Sequence, residues 1–170
     1  MKKTMKRLAA VAVTLGLILA MSVSVFAAAV TKEDAVRTAL TDAGIRQSGT
    51  AWLKAERDGK TYEVEFKDAN TGDKYEYAVL IKNGKIKEAD VDYAHSFNSS
   101  RKKIGKTKAV SAAAKAAGVK KSVVKQGTCT YKKDDGEWIY KLKFKTNNCR
   151  YEVEVQAATG KVIEISRKYQ

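Results

Sequence analysis

The chain has 170 residues, no proline, one histidine, two cysteines and a formal net charge of +14 at pH 7. One histidine and two cysteines are too few for most metal-binding or nucleophilic arrangements, so composition argues against those classes of site. With 44% hydrophobic residues, the chain has the composition of a globular protein and not of a disordered one.

The first 27 residues have the pattern of a cleavable export signal. Met1–Arg7 carries four basic side chains and no acid, and Leu8–Phe26 is almost wholly apolar. The small residues Ala27–Ala29 suit the narrow subsites of a signal peptidase. A retained membrane anchor is the alternative, because the apolar run approaches the ~20 residues that span a bilayer. The alanine cluster favours cleavage, so we expect a secreted or extracytoplasmic protein with no later membrane span.

The rest of the chain contains an internal repeat. Residues 35–45 align with residues 109–119 with five identities in eleven positions. Further matches follow in the same order: Tyr62–Phe66 with Tyr140–Phe144, Tyr75–Val79 with Tyr151–Val155, and Asn83–Ile86 with Thr159–Val162. The sequence therefore predicts two tandem modules, residues 30–93 and 104–169, joined by a basic linker at 94–103.

Each module is predicted to open with a helix. In the first, Thr31 precedes two acids that favour the positive end of a helix, and Gly44 suits the left-handed residue that ends one. In the second, Thr107 and Gly118 are expected to take those places. The second helix is rich in alanine, so it can lie close to a sheet.

Alternation predicts strands after each helix. Tyr62, Val64 and Phe66 alternate with charged residues, and Tyr140–Phe144 and Tyr151–Val155 repeat the pattern. Turn signals separate the strands at Asp58-Gly59, Asn83-Gly84, Asp135-Gly136, Asn147-Asn148 and Thr159-Gly160. We interpret most large aromatic side chains as packing groups: Trp52, Tyr62, Tyr75, Trp138 and Tyr140. The predicted fold class is α+β, with one helix packed on a four-stranded antiparallel meander in each module.

A tight turn at Asn147-Asn148 fixes the register of the second module. Phe144 then faces Tyr151, and on the solvent side Lys143 faces Glu152, which stabilises the pair slightly.

The equivalent pairing in the first module is less favourable. If Phe66 faces Tyr75, then Glu65 lies opposite Glu76, and two like charges face each other. Two alternatives stay open: a different register, or a cationic group that covers the pair.

These motifs resemble the PepSY family. The pattern is a helix ending in Ala-Gly, a Tyr-Glu-Val-Glu strand, a Tyr-x-Val-x-Val strand and a Thr-Gly-Lys-Val turn. Gln156–Val162 is the closest match, whereas Leu80–Ile86 departs from it with Asn in place of Thr. The resemblance covers Val30–Tyr93 and Ile104–Tyr169.

The resemblance implies a binding function. PepSY domains occur in the propeptides of secreted metallopeptidases and in cell-envelope proteins, which implies inhibition or local control of a separate peptidase. The family supplies no catalytic residues. His95, in the linker, is interpreted as a solvated residue, and the sequence predicts no catalytic, metal or cofactor site and no enzymatic activity.

Cys129 and Cys149 both fall in the second module. Export and an even count favour a disulfide, but the predicted pairing puts Cys129 near Tyr140 and Cys149 near Thr146. Six residues along a strand span about 20 Å, whereas a disulfide needs Cα atoms within about 7 Å. Two buried thiols are favoured, and a bulge or slipped register would restore the bridge.

Charge is divided unevenly along the chain. Residues 31–97 have 11 basic and 13 acidic side chains, and residues 98–170 have 18 and 6. The basic half is predicted to bind an anionic envelope polymer, a lipid surface or an acidic protein, while export argues against nucleic acid. The alternatives are a lysine-rich face that only confers solubility, and docking of the acidic module on the basic one. The candidate binding residues are Arg101, Lys102, Lys103, Lys120, Lys121, Lys132, Lys133, Lys141, Lys143 and Lys145.

Overall fold

The computed structural model describes residues 29–170, and the predicted export signal lies outside the described residues. No helix within 29–170 is long and apolar enough to cross a membrane. The first half contains α1 (Lys32–Ala43), a 3-10 turn (Gln47–Gly49), β1 (Thr50–Asp58), β2 (Thr61–Asp68), β3 (Lys74–Leu80) and β4 (Ile86–Asp92). The second half contains α2 (Lys106–Ala116), α3 (Lys121–Lys125), β5 (Thr128–Asp134), β6 (Glu137–Lys145), β7 (Cys149–Gln156) and β8 (Val162–Tyr169).

The eight strands form one antiparallel sheet in the order β1-β2-β3-β4-β8-β7-β6-β5. The α+β class and the meander within each half are as predicted. The expected pair of separate four-stranded sheets is wrong, because β4 pairs with β8 from Glu88↔Lys168 to Asp92↔Glu164. Periodicity predicts strands but does not reveal which edge strands pair with each other.

Both helix layers lie on the same side of this sheet. Val91 faces Ile165 and Ala89 faces Arg167 across the β4–β8 pair. Residues that face each other across strands point to the same side, so the core residues of the two halves share one face. The other side, which we call the open face, carries the alternate, largely charged residues of the strands.

Two hydrophobic clusters fill the space between helices and sheet. One contains Phe66 and Tyr77 under α1, and the other contains Leu142, Val153 and Ile165 under α2. Tyr75 packs against both clusters, so the two cores are in contact.

The predicted helix ends are confirmed for α1 and partly wrong for α2. Thr31 and Asp34 form a reciprocal capping box, and Gly44 adopts a left-handed conformation (φ 71°). α2 is capped by Gly105 and not by Thr107, which lies inside the helix, and no side chain caps it. The amide of Ile104 bonds to Ala157 O (2.9 Å), so the sheet anchors the chain just before the helix starts.

The short helix α3 was not predicted. It gives the second half two helices where the sequence suggested one, and it buries Val124 against the second core. Its five residues are too few to show a helical repeat of apolar positions.

The register predicted for β6–β7 is confirmed, and β2–β3 has the register in which Phe66 faces Tyr75. Phe144 faces Tyr151 and Phe66 faces Tyr75, with ring centroids 5.0 and 4.9 Å apart and nearly parallel ring planes. The pairing of Lys143 with Glu152 is also confirmed. Thus Glu65 does lie opposite Glu76.

Both cysteines are free thiols. Cys129 lies opposite Leu142, two residues from the predicted partner, and is only partly buried, while Cys149 is buried on β7. β6 separates the two strands, as the prediction of two thiols required. Burial raises the pKa of each thiol, which keeps them protonated at neutral pH.

Ion pairs join the two halves where β4 pairs with β8. Arg167 on β8 reaches Asp42 at the end of α1 (2.5 Å), and Tyr77 donates a hydrogen bond to the same carboxylate (3.0 Å). Lys168 pairs with Glu88 across β4–β8 (3.1 Å). The acidic and basic halves therefore join edge to edge and not face to face.

Candidate binding surface

The linker at 94–103 is held against the second half. His95 Nε2 lies 3.0 Å from Glu137 Oε2, and Nδ1 lies 2.9 Å from Tyr93 O. The backbone amide of Asn98 donates to Glu137 Oε1, and Gln156 Nε2 donates to Ser96 O (3.0 Å). His95 is an exposed residue, as predicted, but its ring also contacts the buried carboxylate of Glu137, a contact that the sequence did not indicate.

Glu137 is the centre of this contact. Its side chain is 7% exposed. Burial alone would raise its pKa, but hydrogen bonds from Asn98, His95 and Gln156 outweigh that effect and hold the pKa below its usual range. An ionised Glu137 therefore holds the linker at neutral pH.

Two linker cations lie over aromatic rings. The Arg101 guanidinium is 5.9 Å from the Trp138 ring centroid, and Lys103 Nζ is 4.0 Å from that of Tyr131. Tyr131 and Trp138 stack on each other at 4.8 Å. The predicted packing role of Trp138 fits this stack, whereas Trp52, on the open face of β1, is 43% exposed.

The structure divides the ten basic candidates into two groups. Lys132, Lys141 and Lys143 lie in ion pairs with neighbouring acids: Lys132 with Asp134, Lys141 with Glu152 and Glu154, and Lys143 with Glu152. The other seven are exposed and, within residues 29–170, form no ion pair: Arg101, Lys102, Lys103, Lys120, Lys121, Lys133 and Lys145.

Lys141 is the most strongly held of the paired lysines. Hydrogen bonds to Glu152 and then Glu154 raise its pKa, despite partial burial. Glu154 faces Lys141 directly, as the register set by the Asn147-Asn148 turn predicts, whereas Glu152 faces Lys143 and reaches Lys141 diagonally.

Carboxylates crowd the open face of the first half. Glu65, Glu76 and Asp90 face one another in turn across β2, β3 and β4. Burial and then the charge of Glu65 raise the pKa of Glu76, and burial also raises that of Asp90. Lys54 faces Glu65 from β1, but its ion pair is with Glu56 (3.1 Å).

Removing the charge of Glu76 is expected to stabilise the protein. The pKa of Glu76 is higher in the folded than in the unfolded protein, so its ionisation lowers the free energy of unfolding as pH rises above the pKa of the unfolded state. Glu76→Gln should therefore add about 0.5 kcal/mol to the free energy of unfolding at neutral pH. The gain should vanish well below the usual pKa of 4.5. Urea denaturation across pH measures it. Glu88→Gln, which removes the partner of Lys168, should give no gain; equal effects would contradict the account.

Residues 29–170 contain no group of three His, Cys, Asp or Glu side chains arranged to hold a metal ion. The functional candidates that the described part of the chain offers are three surfaces: the linker at 94–103, the exposed cations and the open face.

Sequence comparison finds a family match in the second half. Residues 103–166 match the PepSY family, described as peptidase propeptide and YPEB domain. The matched segment takes in the end of the linker, α2, α3, β5 to β7 and the first part of β8, so it includes most of the open face of the second half and most of its exposed lysines.

Two solved structures show distant likeness. A candidate lipoprotein of Clostridium difficile 630 shares 15% identity over 71% of this chain and 82% of its own, with a TM-score of 0.31. The C-terminal domain of YpeB from Bacillus megaterium shares 10% identity over 84% of this chain and 99% of its own, with a TM-score of 0.32. No curated protein matches the chain.

Proposed function

We propose that this chain is an exported, non-catalytic binding protein that inhibits or regulates a separate secreted or envelope peptidase. The observation that carries the proposal is the match of residues 103–166 to the PepSY family, which is described by its occurrence in peptidase propeptides. The basic start and apolar stretch of the sequence support export.

We also propose that residues 30–93 are a second module of the same type. Three parallels support it. Each half stacks a phenylalanine on the tyrosine that faces it, Phe66 on Tyr75 and Phe144 on Tyr151. The first helix of each half is followed by a left-handed glycine, Gly44 or Gly118. In each half, a backbone amide just before that helix also donates a hydrogen bond to the carbonyl that follows the third strand: Val30 N to Ile81 O, and Ile104 N to Ala157 O.

Inhibition of peptidases is the direct test. The purified mature chain would be titrated into the separated secreted peptidases of its source organism, with hydrolysis of a fluorogenic peptide as the readout. We expect saturable loss of the activity of at least one peptidase. An unrelated exported protein of similar charge is the control. Unchanged activity of every peptidase, with no complex on size-exclusion chromatography, would contradict the proposal.

Charge favours a second candidate, an envelope module held on anionic polymer or lipid. Its candidate residues are the exposed cations outside the strands: Arg101, Lys102, Lys103, Lys120 and Lys121. Binding through many exposed cations weakens steeply as salt rises, because the Debye length falls from about 10 Å at 0.1 M to about 3 Å at 1 M. Sedimentation with isolated cell walls at low and high salt would measure this, and retention at high salt would contradict it.

A further inference from the structure

A cleft of about 1210 Å³ lies on the open face of the second half, next to the β6–β7 turn. Its floor is formed by two neighbouring rows of residues, each running across the strands. The first row runs from Lys145 through Arg150 to Lys168, which face one another across β6, β7 and β8. Lys143 and Glu152 lie in the second row.

Charges on this floor are only partly balanced. Lys168 pairs with Glu88 (3.1 Å) and Lys143 with Glu152 (2.7 Å). Lys145 and Arg150 face each other directly, are exposed, and have no ion-pair partner within residues 29–170. Facing like charges destabilise a sheet, so this pair costs stability that an anionic ligand would recover.

The Arg150 guanidinium is also oriented. With the amide oxygen of Gln170 turned toward it, that oxygen accepts a hydrogen bond from Arg150 Nε at 2.7 Å. Holding the guanidinium fixes the direction of its remaining N–H donors, which suit the two oxygens of a carboxylate.

The rest of the cleft favours a peptide over a polymer of phosphates. Thr146, Asn147 and Asn148 line it and supply hydroxyl and amide groups that can bond to a peptide backbone. Glu88 and Glu152 lie on the same floor and would repel a continuous run of phosphates. Lys145 and Arg150, which face each other across β6 and β7, match one or two carboxylates at a fixed spacing.

We propose that this cleft binds an acidic peptide segment of a partner protein, with Lys145 and Arg150 as its principal contacts. The identity of that partner as a peptidase rests on the proposed function above, whereas the chemistry of the cleft does not. Lys145 is among the candidates predicted from the sequence and Arg150 is not, although the register set by the Asn147-Asn148 turn already places Arg150 opposite Lys145.

Peptide binding tests the proposal on the mature chain. A fluorescein-labelled peptide that alternates Glu with Ser would be titrated at low salt and followed by fluorescence polarisation. The double variant Lys145→Gln/Arg150→Gln should bind about tenfold more weakly, the effect of losing two exposed ion pairs. The matched control Lys60→Gln/Lys82→Gln removes two exposed charges from the first half and should bind like the parent.

Three results would overturn the proposal. One is equal weakening in both double variants, which would mean attraction to net charge alone. Another is equal affinity for the peptide with Gln in place of Glu. The third is tighter binding of polyphosphate through Lys145 and Arg150, which would make the occupant a phosphate polymer. Circular dichroism of each variant confirms that the fold is kept.

The same variants separate this proposal from the proposed function. If the parent protein inhibits a peptidase and Lys145→Gln/Arg150→Gln inhibits it equally, the cleft is not the docking site but the inhibitor function stands. If the parent binds the acidic peptide through the two residues but inhibits no peptidase, the cleft stands and the peptidase partner falls.

Discussion

Replacing Gly127 with alanine is expected to destabilise the mature protein by about 3 kcal/mol. Gly127 lies between α3 and β5, where the chain passes directly over β6. A Cβ atom at this position would overlap the carbonyl oxygen of Lys143 and lie 2.8 Å from Phe144 Cβ. The first obstacle is backbone, so no side-chain rotation relieves it, and β5 would have to move away from β6.

Gly49→Ala is the matched control for this substitution. Gly49 also lies just before the first strand of its half, and the nearest atom to an added Cβ is Ile45 Cγ2 at 3.7 Å, an ordinary contact. We expect a change within about 0.5 kcal/mol. Urea denaturation of both variants measures the difference, and equal midpoints would show that the close passage over β6 is not present.

Truncation of Phe66 should cost about 4 kcal/mol. Its side chain is fully buried on β2, and its ring stacks between those of Tyr75 and Tyr77, with centroids 4.9 and 5.9 Å away. Phe66→Ala removes the transfer free energy of the ring and leaves a cavity that its rigid neighbours cannot fill. A domain is commonly stable by about 5–15 kcal/mol, so the loss is a large fraction of the total.

Phe97→Ala removes the same side chain from the linker, where Phe97 is 65% exposed. Its loss should change stability by less than about 0.5 kcal/mol. Thermal unfolding followed by circular dichroism compares the two variants. A loss for Phe97→Ala as large as that for Phe66→Ala would contradict the assignment of the first core.

Local patterns predicted the elements well because local physics decides them. Alternation along β2 and β6 gave the core faces, and the short turn at Asn147-Asn148 gave the β6–β7 register. The left-handed glycines gave the helix ends. In each case, the residues that specify the feature lie within a few positions of it in the sequence.

Features that depend on distant residues were missed. Nothing in the sequence of β4 or β8 reveals that they pair with each other, so the single sheet was not anticipated. The contact between His95 and Glu137 joins residues 42 positions apart. Gly105 replaced the expected cap Thr107 because the bond from Ile104 to Ala157 fixes where the chain enters α2.

The set of candidate cations changed once their cross-strand neighbours were known. Composition located the basic charge in the second half, but it did not distinguish Lys141, held by two glutamates, from Lys145, which has no acid beside it within the described residues. Cross-strand neighbours determine which cations are available to a partner. The register set by the Asn147-Asn148 turn predicts the residues that face each other across β6 and β7, but not the diagonal contact of Lys141 with Glu152.

The pairing of β4 with β8 tests the central claim most directly, because it joins the two halves into one sheet with one open face. In the isotope-labelled mature chain, nuclear Overhauser effects between Hα protons report residues that face each other across antiparallel strands. We expect strong effects for alternate pairs of the β4–β8 set, either Ala89 with Arg167 and Val91 with Ile165, or Glu88 with Lys168 and Asp90 with Ser166. Strong effects within β1 to β4 and within β5 to β8, but none between β4 and β8, would contradict it.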